Sequence, residues 1–359
     1  MFTGTKTDFP RLLGVGTANP ETAYSQQDIL DRHGITSQPI RSLFLGSHIR
    51  KRHLALSDVD GDGVPAVESQ GQLLDKHRTE GLRLAADALR ACLERAGATL
   101  HDVRYLCCVS STGFLVPGLS ALLMKKLGMR PDCGRADIVG MGCNAGLNAL
   151  NPVASWAAAN PGKLAVMVCV EVCSAAYVFD DTMRTAVVNS LFGDGAAAVA
   201  VRADARPPAE PTGRPALVKF ASRLIPEAAD AMRYEWDSHQ QKFSFFLDRD
   251  VPYVVGAHAE EVVESLLDGT GLRRSDITHW IVHSGGKKVI DSVRVNLRLT
   301  AHDMRHTVSV LRDFGNLSSG SFLFSYQRLL HEGAARAGDH GVLMTMGPGS
   351  TIETGLLTW

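Results

Sequence analysis

Residues 81–113, GLRLAADALRACLERAGATLHDVRYLCCVSSTG, and residues 254–286, VVGAHAEEVVESLLDGTGLRRSDITHWIVHSGG, follow one script. Each opens with apolar residues at helical spacing and passes through a glycine-containing turn to an aspartate, Asp102 or Asp276. An apolar strand then ends in small residues. A second pair follows each of these at a similar distance: residues 136–159, ADIVGMGCNAGLNALNPVASWAAA, and residues 311–330, LRDFGNLSSGSFLFSYQRLL. Both read as an extended lead-in, a tight turn around a small residue and a helix, so Cys143 and Asn316 fall at equivalent points. A third pair, KLAVMVCVE and HGVLMTMGPG, reads as two apolar strands.

Such internal repetition predicts two copies of one α/β unit with buried sheets. The one strong break in composition is ARPPAEPTGRP, residues 205–215, which is rich in proline and poor in apolar side chains. It divides the chain into an N-terminal half, 1–205, carrying Cys143, and a C-terminal half, 216–359, carrying His283 and Asn316. Approximate symmetry between the halves brings the helix starts after the two turns face to face, where a cleft between repeats can hold chemistry.

Composition narrows the function. The 359 residues, 45% hydrophobic and 21% charged, suffice for two packed domains. A formal net charge of −1 argues against a nucleic-acid binder, which needs surplus Lys and Arg to neutralise phosphates. Seven cysteines are scattered through apolar runs without metal-ligand spacing and read as reduced thiols, so no metal is expected. The beginning, MFTGTKTDFPRLLGVGT, lacks a signal pattern, and no apolar run is long enough for a membrane helix. The expected setting is cytoplasmic.

Cys143 lies between glycines in VGMGCNAGLNAL, ahead of a helical pattern. At a helix start, unpaired N–H groups and the helix dipole favour a thiolate, which predicts a lowered thiol pKa. Cys107, Cys108 and Cys169 sit inside apolar strand runs and read as inert buried thiols. His283 ends a strand, where α/β sheets present functional side chains. Asn316 by itself reads as a helix N-cap; only the repeat makes its amide an oxyanion donor.

The strings GMGCNAG, LFGDGAAA, WIVHSGGKKVID, FGNLSSGS and GPGSTIET resemble, in order and spacing, the motifs of the chalcone and stilbene synthase family, the type III polyketide synthases. The resemblance covers nearly the whole chain. It implies the thiolase fold, a duplicated five-layered αβαβα, a homodimer, and a Cys-His-Asn site on Cys143, His283 and Asn316. Substrates would be coenzyme A thioesters, with no other cofactor. The family's aromatic gatekeepers fall on Phe192 and Phe245; Trp236 is expected to shape the same cavity, and the loop Gly347, Pro348, Gly349 to form one wall. Ketosynthases primed by a carrier protein typically present the asparagine in a His-x-x-Asn motif, whereas this chain has HSGG and a separate GNLSSG.

Longer stretches, including CCVSSTGFLVPGLSAL, MRTAVVNSLFGDG, DAMRYEWD and VPYVVGAHAE, are similar to a bacterial branch of the family serving glycopeptide-antibiotic pathways. That likeness implies malonyl-CoA as both starter and extender, a resorcinol-type acetic acid thioester as product, and enoyl-CoA-hydratase-like pathway proteins as partners in dehydration. Rival readings are a synthase of alkylresorcinols, pyrones or naphthols, and a catalytically silent thiolase-like subunit. Basic residues for the CoA phosphates are sought in RSLFLGSHIRKRH, where Arg41, Arg50, Lys51 and Arg52 are the candidates and Gly46 replaces one lysine of the plant enzymes.

Overall fold

Apolar runs buried on both faces become the strands of this chain. In the first half these are β1 (Arg11–Ala18), β2 (Ala23–Ser25), β3 (Lys51–His53), β4 (Val103–Ser110), β5 (Gly134–Val139), β6 (Leu164–Glu171) and β7 (Gly195–Arg202). The second half supplies β8 (Ala216–Arg223), β9 (Met232–Asp237), β10 (Lys242–Leu247), β11 (His279–Val282), β12 (His340–Gly347) and β13 (Thr351–Thr358). The computed structural model describes residues 9–61, 63–204 and 213–359. The first eight residues of the N-terminal stretch, and residues 205–212 of the expected boundary, lie outside the described residues.

Nine strands form one sheet in the order β11-β12-β13-β8-β1-β7-β6-β4-β5. Its halves repeat one pattern. β4 pairs parallel with β6, which runs antiparallel to β7, which runs antiparallel to β1. In the second half β11, β12, β13 and β8 take the same relations. Within the sheet, the two halves pair where β1 meets β8 at Arg11 and Ala216.

Alternation along the strands builds five layers. On β6, Leu164, Val166, Val168 and Val170 pack with the outer helices Gln70–Ala96 and Leu119–Leu127, whereas Ala165, Met167 and Cys169 face the centre. On β12, Val342, Met344 and Met346 pack with the outer helices Val251–Leu267 and Lys287–Asn296, and Leu343 faces the centre. Between the half-sheets lie the helices Ala145–Ala159 and Ser321–Glu332. Period-2 burial on both faces therefore produces the αβαβα stack, each buried aliphatic side chain contributing about 1.5–3 kcal/mol.

The matched aspartates do the same work. The Asp102 carboxylate accepts the Thr99 N–H at 2.8 Å, and that of Asp276 accepts the Arg273 N–H at 2.8 Å, each fixing the short turn into its strand. One expectation fails: the lead-in to Asn316 is the helix Arg305–Phe314, not an extended segment like β5. Its buried residues, His306, Thr307, Val310 and Leu311, recur at helical rather than alternating spacing.

Candidate active site

The two central helices begin against one another. A Cβ on Gly146 would lie 2.2 Å from the Ser319 carbonyl oxygen, so only glycine lets the two backbones meet there. Each helix is preceded by a 3₁₀ turn, Gly142–Asn144 or Ser318–Gly320, whose first residue is left-handed: Gly142 at φ 69° and Ser318 at φ 49°. By that register the counterpart of Cys143 is Ser319, and Asn316 lies three positions before it. The repeat brought Asn316 near Cys143 without making the two equivalent.

Cys143 is 7% exposed and lines a cavity of about 380 Å³. The Asn316 amide reaches it, with Nδ2 3.9 Å and Oδ1 4.0 Å from Sγ. Asn316 Oδ1 accepts the Ser318 N–H at 2.8 Å, which turns the Nδ2 hydrogens toward the sulfur. The Asn316 backbone bridges to Phe192, its N–H donating to Leu191 at 2.9 Å and its carbonyl accepting from Gly193 at 2.9 Å. His283 is buried just past β11, its N–H donating to Met344 at 2.8 Å; its Nδ1 has no hydrogen-bond partner. Ser284, the next residue, bonds the Gly315 carbonyl beside Asn316 at 3.5 Å.

The end of β12 closes this corner. A Cβ on Gly347 would fall 2.6 Å from the Asn144 nitrogen and 3.0 Å from that of Cys143, so the close approach this glycine permits is to the Cys143 turn itself. Pro348 lines the cavity; Gly349, at φ 76°, faces Thr351 and Leu224 instead.

Burial sets the electrostatics against the expected thiolate. Desolvation pushes the Cys143 thiol up to about 12, and the Glu171 charge adds to the rise; hydrogen bonds from Ser318 and Asn316 pull it down by less. The same desolvation lowers His283 to about 3. Burial thus favours the neutral form of each group, because a charge taken out of water there lacks compensation; His283 is not among the residues lining the cavity.

Phe192 and Phe245 line the cavity, ring centroids 5.8 Å apart in an edge-to-face pair at 86°. Trp236 does not join them. It is 48% exposed and packs on Phe243 at 5.1 Å; Tyr234, two residues earlier on the same face of β9, takes the lining position. Arg233, overlooked in the sequence, is the only charged side chain among the described residues lining this cavity, its guanidinium 4.3 Å over the Phe246 ring.

The basic cluster resolves into separate roles. Arg50 and Lys51 are exposed, while Arg41 donates to the Ile35 carbonyl at 3.1 Å; none of them lines the cavity. Arg52 is fully buried, out of reach of a CoA phosphate. Its guanidinium donates to the carbonyls of Asn189 (2.6 Å) and Phe192 (2.7 Å), to the Tyr177 hydroxyl (2.8 Å) and to Gln26 Oε1 (2.7 Å). A cation at the C-terminal end of the helix Met183–Leu191 meets its unpaired carbonyls and the helix dipole. Arg52→Met should therefore cost at least about 3 kcal/mol, read as a lower urea midpoint, since buried acceptors lose a charged donor.

Glu171 is a second overlooked residue. It ends the otherwise apolar β6, which was the available signal, and is fully buried. Its carboxylate accepts Ser319 Oγ at 2.5 Å, Ser318 Oγ at 3.3 Å and the Ser111 N–H at 3.0 Å.

Comparison with known proteins agrees with this architecture. The sequence matches the family description "Chalcone and stilbene synthases, N-terminal domain" over residues 7–205 and the corresponding C-terminal domain over residues 216–358. It is 66% identical, over 98% of this chain and 90% of the relative, to a 3,5-dihydroxyphenylacetyl-CoA synthase of Streptomyces toyocaensis. With one of the same name from Amycolatopsis balhimycina it shares 62% identity, covering 98% and 94%. Among solved structures, PKS-I from the brown alga Ectocarpus siliculosus superposes with a TM-score of 0.90 at 27% identity, covering 99% of this chain and all of that one. The 1,3,6,8-tetrahydroxynaphthalene synthase of Streptomyces coelicolor A3(2), a bacterial type III polyketide synthase, gives 0.87 at 27% identity, covering 97% and 99%. With both halves matched and the thiolase-fold layers in place, the chain belongs to the chalcone and stilbene synthase family, the type III polyketide synthases.

Proposed function

We propose that this enzyme condenses malonyl-CoA, as both starter and extender, into a tetraketide and closes it to 3,5-dihydroxyphenylacetyl-CoA. The observation that carries this reading is the 61–66% identity, over 98% of the chain, with relatives named for that product. The cavity supports it: about 380 Å³ is near the low end for small-molecule sites and suits a short polyketide better than a long acyl chain.

In this mechanism neutral His283 takes the Cys143 proton as the sulfur attacks a malonyl thioester, so the ion pair forms only as the acyl bond does. His283 and Asn316 then turn N–H donors toward the thioester oxygen of an extender. Carbon dioxide leaves, and the donors stabilise the enolate in a site closed to water. Its carbon attacks the acyl group on Cys143, and the lengthened chain is reloaded. The starter unit also loses its carboxylate as carbon dioxide, so its outer carbon becomes a methyl group; after three extensions that terminal carbon attacks the third carbon, water leaves, and the ring aromatises with its acetyl-CoA arm intact. Phe192 and Phe245 bias which atoms meet, since competing cyclisations share the same electrophiles.

CoA thioesters are the only small molecules this scheme requires. A homodimer fits the surface: β5 is an outer strand of the main sheet, its Val139 is 47% exposed, and in the segment after β4 Phe114 is 70% and Val116 82% exposed. Enoyl-CoA-hydratase-like partners would act at the dehydration step. A cytoplasmic setting fits seven buried, unpaired thiols; among the described residues no helix is long and apolar enough to cross a membrane. Incubation with malonyl-CoA alone, followed by mass spectrometry, tests the reading. The dihydroxyphenylacetyl thioester or its acid is expected, whereas a requirement for a second acyl-CoA, or a pyrone or naphthol as the sole product, overturns it.

A further inference from the structure

Tyr234 brings a hydroxyl to the cavity that the condensing chemistry does not use. Alternation along β9 sets it on one face with Met232 and Trp236, opposite Phe245 of β10. Its ring meets the Phe245 ring edge-on at 5.2 Å, and Phe245 meets Phe192 at 5.8 Å. Phe192 in turn bridges to Asn316 through the backbone. Three rings therefore line one wall outward from the Asn316 amide, and the last of them carries a polar group.

The other lining hydroxyls each bond the chain. Ser318 Oγ donates to Glu171 at 3.3 Å, Thr112 Oγ accepts the Val172 N–H at 2.9 Å, and Ser111 Oγ accepts the Gly142 N–H at 2.7 Å. The Tyr234 hydroxyl forms no hydrogen bond among the described residues, and the residue is 40% exposed. That free surface opens on the cavity, because the chain closes round the phenol enough for burial to push its pKa upward. The group stays protonated at neutral pH and is a hydrogen-bond donor with nothing in the protein to donate to.

We propose that Tyr234 is a catalytic residue of ring closure: its hydroxyl donates to the ketone oxygen that the terminal carbon attacks, and so selects the carbocycle over a lactone. The inference rests on the tetraketide reading of this site. Extension has its own donor in Asn316 Nδ2, 3.9 Å from the sulfur, whereas the lengthened chain runs along the aromatic wall and brings its later ketones to Tyr234. Ring closure forms one C–C bond and moves the π pair of the attacked ketone onto its oxygen; the proton given up by the terminal carbon ends on that alkoxide. The phenol stabilises the charge by a hydrogen bond and keeps its own proton. Without such a donor an enol oxygen of the chain attacks the thioester carbonyl instead. The new C–O bond replaces the C–S bond, the enol proton passes to the departing sulfur, and a pyrone is released.

Tyr234→Phe removes one oxygen and keeps the ring against Phe245; since the hydroxyl bonds nothing in the protein, the variant should fold like wild type. Given malonyl-CoA, it should release carbon dioxide within about twofold of the wild-type rate while its yield of resorcinol ring falls about ten- to a hundredfold, the loss of one hydrogen bond to a developing charge. Mass spectrometry should recover the missing carbon as pyrones. Trp236→Leu, on the same face of β9 but outside the cavity lining, should keep the wild-type ratio of ring to carbon dioxide. A Tyr234→Phe variant with the wild-type ring yield, whatever Tyr234→Leu does, assigns the position to packing and overturns the proposal. So does a fall in ring yield matched by an equal fall in carbon dioxide, which places Tyr234 in extension. Wild type that closes no carbocycle removes the tetraketide reading itself, a result seen before any variant is compared.

Discussion

Cys143→Ala should stop polyketide formation from malonyl-CoA, a loss of at least about four orders of magnitude, while malonyl-CoA decarboxylation should stay measurable. The two activities separate because they need different atoms. Chain growth requires a sulfur to hold the acyl group during attack, and alanine has none. In the proposed mechanism enolate formation requires donors at the thioester oxygen, and those would come from His283 and Asn316. The fold should tolerate the change: Cys143 is small, and the neighbouring turn is held by Gly142 N–H donating to Ser111 Oγ at 2.7 Å rather than by the thiol. Product profiling with parallel measurement of released carbon dioxide checks both halves. Polyketide made at the wild-type rate would remove Cys143 from the mechanism.

The repeats were readable because they rest on local rules. Asp102 and Asp276 each cap a turn three residues long, and β6 and β12 alternate between an outer and a central layer, so spacing alone reveals them. What depended on the third dimension stayed hidden. Arg52 sits in IRKRH among exposed basic residues, and nothing nearby in sequence announces that Tyr177, Asn189 and Phe192 will surround it. The helix start at Cys143 was visible, but not the burial that outweighs it and drives the thiol upward. Trp236 and Tyr234 share one face of β9, so alternation could not say how far along the hairpin the cavity extends. Local pattern fixes which face a side chain takes, whereas burial of a charge depends on partners distant in the chain.

Asn316→Ala should slow decarboxylation of malonyl-CoA by about a hundred- to a thousandfold, the usual loss of some 3–4 kcal/mol when one oxyanion donor is removed. Its Oδ1 is committed to the Ser318 N–H at 2.8 Å, so Nδ2 carries the free hydrogens and lies 3.9 Å from the Cys143 sulfur, on which the chain would grow. Asn316→Asp separates the donor from the packing. Aspartate has nearly the same shape but, ionised, only accepts hydrogen bonds, and it would set a buried negative charge against the developing enolate. It should therefore be at least as slow as alanine despite filling the same space. Loading of Cys143 needs less from this amide, so intact-mass measurement should still detect an acyl adduct on both variants. If Asn316→Asp decarboxylated malonyl-CoA at the wild-type rate, the asparagine would be a packing element and enolate stabilisation would fall to His283 alone.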